Sequence, residues 1–406
     1  MKILITGACA VSARSVLRSL KSSDKFRDAE FVGWDMCNLL YGVYEGIFDR
    51  IYPVPAVSDA RYRSVAEKIL KEENPDAVVV VPEVEVLYWS ENPFPGVAYI
   101  VPPPKFSSLV ISKNRLFSAL AGTGLVPKFA MVSSEEIESE NFENPLGYPC
   151  WIRDGGAGTA SGKGSFKATC CEDLRAWVKI NRGIDVFQLS EFLPGGNYGC
   201  FCLFKNGRLL KVAQAERIEY IMAKVAVSGI TGNTSKGRLL NDERIKRNAL
   251  AVIDAICRQT GETMNGLVVV DMKANGNGEP IATEINIRHV AYSSSFAAAG
   301  FNISEYQVLA ALNRDAEISD DQEKTFPRGN LILRDVDGLP IYVKSPLALR
   351  IGECIRREMI NTPPPPPPRV SSRSRLNNSI SLHKTAFGNC VEFAFPRADF
   401  LSVGNL

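Results

Sequence analysis

The sequence predicts an α/β chain of more than one domain, opening on a doubly wound parallel sheet. Three observations predict it. Short apolar runs alternate with helical patterns through the first quarter of the chain. A length of 406 residues exceeds one ordinary core, domains being roughly 100–200 residues. Beyond the first quarter, longer strand-like segments bracket a glycine-rich loop, an α+β pattern.

KILIT (2–6), FVGWD (31–35) and AVVVV (77–81) are apolar runs suited to strands buried on both faces. Helical patterns lie between them at 12–22 and 59–73. The alternation places a doubly wound sheet in a first unit, 1–111, which ends beyond the prolines at 102–104. Its first turn, TGACAVSAR, lacks the G-x-G-x-x-G that lets a pyrophosphate approach the backbone. Asp35 stands where a ribose-binding acid would end the second strand, but the glycines are missing. A Rossmann-like scaffold without a dinucleotide is the expectation. Glu83 and Glu85 follow the AVVVV strand at the carboxyl end of that sheet, where an amine could be met.

A second unit, 112–312, opens with a helix in SKNRLFSALAGTGL. LSEFL (189–193) and CFCLF (200–204) are predicted to pair as a hairpin. A helix over about 242–260 carries the stripe Ile245, Leu250, Ile253 and Ile256. The unit closes with the strands LVVVDM (267–272) and IATEIN (281–286). The remainder, 313–406, offers strand candidates LILRD and PIYVK, then six prolines at 363–368 read as an extended spacer.

Composition narrows the chemistry. A net charge of +2 with 23% charged residues supplies no field for nucleic acid or a membrane surface. The apolar runs are too short to span a bilayer, and MKILITG enters a strand without a secretory n-region. Ten scattered cysteines without a CxxC pair fit reduced thiols in a cytoplasm. His289 and His383 are the only histidines, which excludes a His-rich zinc site and favours a hard, oxygen-bound metal.

The loop GGAGTASGKGS (155–165) resembles a phosphate cradle, yet it fails the P-loop template. Gly164 follows Lys163 where Ser or Thr is required, and SFKATC after it reads as a strand rather than a helix. Such a loop can still close over phosphates through its backbone N–H groups, with Ser161, Gly162 and Lys163 as candidate contacts. Downstream, Glu284 and Asn286 share one face of a strand, and a hairpin would bring Asp271 to them. Two carboxylates and an amide oxygen suit Mg²⁺, with Mn²⁺ as the alternative ion. Arg288 would add a guanidinium for a transferring phosphoryl group.

The order Lys113, Trp151-Ile152-Arg153, the glycine loop, Glu191-Phe-Leu-Pro-Gly, Asp271 and Glu284-Ile-Asn286-Ile-Arg288 resembles the ATP-grasp enzymes. SGITGNTSKG and EINIRHVAYSSSFAAAG resemble their carbamoyl-phosphate-synthetase-like branch in particular. The resemblance implies a Rossmann-like pre-ATP-grasp domain, a two-lobed ATP-grasp domain with 155–165 as its lid, and a C-terminal extension. It implies that Lys113 and Arg153 contact ATP phosphates, and that Glu191 and the backbone near Leu193 form the adenine hinge. It implies Asn197 at the ribose, where a Glu is usual; Asp271, Glu284 and Asn286 at the metal; and Arg288 and Lys163 at the reacting phosphate. The expected activity is ADP-forming ligation of a small-molecule carboxylate to an amine, without nucleic-acid or membrane partners, in a monomer or a homodimer. A non-catalytic ATP-binding module and a dinucleotide-dependent oxidoreductase are the alternative readings.

Overall fold

Apolar runs with no polar face can be satisfied only between two layers, and the first sheet is built that way. A computed structural model of the protein describes residues 1–155, 165–225, 231–335, 340–343 and 346–360. β1 (Lys2–Thr6), β2 (Glu30–Asp35), β3 (Arg50–Pro53) and β4 (Ala77–Val79) are parallel in the order β3-β2-β1-β4. Ile3, Leu4, Ile5, Phe31 and Val32 are fully enclosed between helices that include Val11–Lys21 and Tyr62–Glu73. β3 is an addition to the predicted strands, because RIYP offers only two apolar side chains before its proline. Gly7 turns the chain with φ +65°, and a Cβ there would lie 2.5 Å from Pro82 Cγ. The ribose reading of Asp35 gives way to a structural one. Its carboxylate accepts the N–H groups of Cys9 (3.1 Å) and Cys37 (2.7 Å), tying two loops together.

A smaller sheet follows. β5 (Phe129–Ser133), β6 (Cys150–Asp154), β7 (Phe166–Ala168) and β8 (Val186–Glu191) run antiparallel in the order β5-β8-β6-β7. Ile152, Leu174, Phe187 and Leu189 fill its own core. A larger sheet contains β9 (Asn197–Lys205), β10 (Arg208–Tyr220), β11 (Thr234–Leu240), β12 (Gly266–Ala274), β13 (Pro280–Asn286) and β14 (Ile332–Leu333), in the order β13-β12-β9-β10-β11-β14. Its alternation is clean along β9. Cys200 and Cys202 pack toward the helix Glu243–Thr260, whereas Phe201 and Leu203 join the core of the first sheet.

Three expectations change here. LSEFL and CFCLF are not a hairpin, since β8 and β9 belong to different sheets. The turn Leu193–Gly196 carries the chain across, and Gly195 N–H and Gly196 C=O pair with Ala274 at 2.9 Å each. A Cβ on Gly195 would sit 2.5 Å from Ala274 Cβ, so the crossing requires a glycine. The helix opening at Lys113 stops at Ala119, ahead of Gly122 and Gly124, both with φ +75°. Residues 340–343 of PIYVK form no strand; instead β15 (Ile355–Arg356) returns to pair antiparallel with β3. The proline run at 363–368 lies outside the described residues.

Glu85 is also redirected. It is 6% exposed and points into the aromatic core packed on the first sheet, accepting Trp34 Nε1 (3.0 Å) and Tyr62 OH (2.9 Å). Burial, against the pull of Thr6, Tyr62 and Trp34, pushes its carboxyl up to about 7. A carboxyl raised on folding stabilises the fold below its unfolded pKa, and that stability is lost as pH rises through 7. Glu85→Gln keeps an acceptor for both donors and no longer titrates. The stability of the wild type relative to this variant is expected to fall by roughly 3 kcal/mol between pH 4.5 and pH 8, read from urea unfolding. A pH-independent difference would refute the assignment.

Candidate functional site

The two antiparallel sheets and the carboxyl edge of the parallel sheet enclose a cleft of about 450 Å³. Lys113, Arg153, Glu191, Leu193, Asn197, Asp271, Glu284, Asn286 and Arg288 all line it. Ser161, Gly162 and Lys163 lie outside the described residues. Their flanks β6 and β7 are antiparallel neighbours with Cys150 opposite Ala168, so the glycine-rich segment does join two strands. At its root Asn114 Nδ2 donates to the Gly155 carbonyl.

β12 and β13 form the floor. They pair antiparallel, with Asp271 directly opposite Glu284 and Val269 opposite Asn286. Ile285 and Ile287 alternate inward at 2% and 1% exposure, which turns Glu284 and Asn286 to the cleft. Asn286 Nδ2 lies 3.2 Å from Asp271 Oδ2, Arg217 Nη2 lies 2.5 Å from Asp271 Oδ1, and Lys113 Nζ lies 3.1 Å from Glu284 Oε2. Burial pushes the Asp271 carboxyl up, with Arg217 pulling it down and Glu284 pushing it further up. Burial opposes the charge on Arg217, but Asp271, Tyr220 and Glu284 outweigh it and raise the guanidinium above its ordinary value. Gly199 makes room for this pair: a Cβ there would be 3.3 Å from Arg217 Nη2 and 3.5 Å from Asp271 Oδ1.

Arg153 is the least satisfied cation of the site. It is 9% exposed, its guanidinium stands 5.3 Å from the Phe117 ring centroid, and Nε is buried without a hydrogen-bond partner. Burial pushes it down to about 10, with Glu284 opposing. A buried guanidinium with an unsatisfied N–H is suited to receive an anion. Arg288 meets the elements of the first sheet, with Nε 3.7 Å from Glu83 Oε1 and Nη1 3.4 Å from Ser12 Oγ. Burial raises the Glu83 carboxyl, Arg288 lowers it and Glu284 raises it again. His289 is 1% exposed, bonded to Ser293 Oγ at 2.9 Å and pushed down to about 4 by burial, so it stays neutral.

The third wall is the crossing between the sheets. Glu191 ends β8 and accepts Lys128 N–H at 3.1 Å, with Leu193 buried behind it. Asn197 opens β9 and accepts from Lys273 Nζ at 3.4 Å. Arg217, Lys273 and Arg334 also line the cleft and were missed from the sequence. Lys273 was findable, since it stands two residues beyond Asp271 on the same strand face. Arg217 sits in the charged run AERIEY, and nothing local marks it as inward. In total six basic side chains face four carboxylates, an imbalance that favours a polyanion.

Arg217→Met leaves the Asp271 carboxylate part-buried without its cation, and is expected to cost about 2 kcal/mol in urea unfolding. Adding Asp271→Asn is expected to recover about half of that loss, while strictly additive losses would show the two groups to be uncoupled.

No family model matches the sequence, and no curated protein sequence matches it. Solved structures do match the fold. The L-amino acid ligase of Bacillus licheniformis superposes with a TM-score of 0.52 at 14% identity, over 79% of this chain and 77% of that one. N5-carboxyaminoimidazole synthetase of Staphylococcus aureus, complexed with ADP, gives 0.54 at 14% identity over 82% and 79%. The biotin carboxylase domain of Hydrogenobacter thermophilus 2-oxoglutarate carboxylase, a dimer with MgADP and bicarbonate, gives 0.52 at 14% over 76% and 69%. The chain has the ATP-grasp fold.

Proposed function

We propose that the protein is an ADP-forming ligase that phosphorylates a small-molecule carboxylate with ATP and couples the acyl phosphate to an amine. The observation that carries this reading is the convergence of Lys113, Arg153 and Arg288 around the Asp271–Glu284–Asn286 floor of one cleft. The ADP and MgADP bound to structural neighbours support it.

In this reading Glu191 and the backbone near Leu193 hold the adenine and Asn197 the ribose. Lys113 and the unpartnered Arg153 take the phosphates, beneath Ser161, Gly162 and Lys163 of the lid. Asp271 and Glu284, opposite one another on paired strands, fit a hard cation, and a turn of the Asn286 amide that gives up its hydrogen bond to Asp271 would add its oxygen as a third donor. Mg²⁺ there, or Mn²⁺ in its place, would neutralise charge on the phosphates. Lys113 and Arg217 hold the two carboxylates until then. Arg288 steadies the phosphoryl group in transfer, and Glu83 faces the entering amine at the other side of that guanidinium. The neutral, buried His289 takes no proton, so positioning and charge neutralisation supply the rate.

Purified protein given Mg-ATP and pooled carboxylates and amines is expected to release ADP in proportion to a condensed product seen by mass spectrometry. ATP bound tightly with no ADP released across the pool would favour a non-catalytic nucleotide-binding module instead. Within the active enzyme, Glu284→Gln is expected to lower kcat by about 10²-fold or more. An unchanged kcat would remove Glu284 from the metal set.

A further inference from the structure

The first domain holds a donor cluster that the ligase reading does not use. Cys9 lies in the turn after β1, Asp35 ends β2, and Cys37 follows two residues later with φ +58°, a left-handed conformation uncommon for a side chain of this kind. One ligand atom from each of the three lies within 4.8 Å of the other two. Cys9 is 1% and Cys37 6% exposed, so the cluster is enclosed rather than a surface coincidence.

The carboxylate is the telling member. Among the described residues no Lys or Arg nitrogen lies within 4 Å of Asp35 in an ion pair, and Arg14 across the turn is already paired with Glu45 at 2.5 Å. Asp35 is half-buried and desolvated with no cation beside it among the described residues, an environment in which a bound metal would supply the missing positive charge. Backbone N–H groups of Cys9 and Cys37 fix its two oxygens, the kind of outer support that orients a metal ligand. Tetrahedral coordination with metal–sulfur bonds of about 2.3 Å and metal–oxygen bonds of about 2.0 Å needs donors within about 4 Å of one another, a small contraction of the observed cluster.

We propose that Cys9, Asp35 and Cys37 form a binding site for one thiophilic divalent cation, Zn²⁺ by its ligand chemistry. Binding deprotonates both thiols: the cation takes two thiolates and a carboxylate, and two protons leave to solvent. The site pins the turn that runs on to Ser12, the residue meeting Arg288 in the cleft. It therefore couples metal occupancy to the acceptor end of the cleft without touching nucleotide.

Cobalt(II) tests this on the full chain, reduced and stripped of metal. One equivalent is expected to give the intense near-ultraviolet thiolate-to-cobalt absorption, which Zn²⁺ displaces and which is lost in Cys9→Ser and Cys37→Ser. A second measurement needs no variant: Zn²⁺ is expected to protect Cys9 and Cys37 of the wild type from iodoacetamide, read by mass spectrometry. Absorption that is absent, or that persists in both variants, overturns the proposal. So does labelling of the two cysteines at the same rate with and without Zn²⁺.

Discussion

Two carboxylates directly opposite one another across a β-pair should repel, and the rest of the cleft is arranged around that fact. Asp271 and Glu284 are such a pair, and like charges so placed normally weaken a sheet. Here each is held by a different cation, Arg217 for the first and Lys113 for the second, while the Asn286 amide donates to Asp271. The cations come from separate elements: Arg217 from β10 and Lys113 from the start of a helix between the first and second sheets. Closing the fold is therefore what makes the pair tolerable. A local arrangement that would be unstable alone becomes a fixed, oxygen-rich floor.

The surrounding geometry follows from that floor. The Leu193–Gly196 crossing is anchored to Ala274, three residues past Asp271 on the same strand, so the hinge between the two sheets cannot shift without moving the carboxylates. Gly199 leaves the space in which Arg217 and Asp271 meet. From the other side come Ser12 and Glu83, each in the first turn of a helix that follows a parallel strand, the carboxyl side on which open α/β sheets present ligand-binding groups. Phe201 and Leu203 of β9 share a core with Ile3 and Ile5 of β1, which keeps that edge in place against the floor.

Legibility in the sequence tracked the range of the interaction. The β12–β13 hairpin was readable because Glu284 and Asn286 alternate with Ile285 and Ile287 within one short segment, and its pairing with the Asp271 strand needed only a tight turn. The parallel strands were readable for the same local reason, apart from β3, whose two apolar residues carry too little signal. The supposed hairpin of 189–193 with 200–204 failed because adjacency in sequence cannot reveal that a Leu-Pro-Gly-Gly turn crosses between sheets. Arg217 stayed hidden because its inward direction is decided by pairing with β9 and β11, far from its own neighbours. Glu85 was misplaced because it lies two positions beyond Glu83 on one helix, a rotation of about half a turn. A spacing of two on a helix points side chains to different faces.

That last distinction also explains how one helix start serves two ends. Glu83 looks into the cleft and meets Arg288, whereas Glu85 closes a core of Trp34, Tyr62 and Trp89. Burial raises both carboxyls, but their surroundings differ in kind. Glu85 is surrounded by neutral donors whose pull is outweighed by burial, which raises its carboxyl to about 7. Glu83 stands between a guanidinium that favours its charge and Glu284 that opposes it, so its proton is sensitive to whatever neutralises Glu284. A cation bound at the floor would remove that opposition and leave Glu83 to Arg288, drawing the carboxylate toward its charged form when the cleft is loaded. Glu83 would thereby be linked to a cation at the floor through charge alone, with no movement of the backbone required.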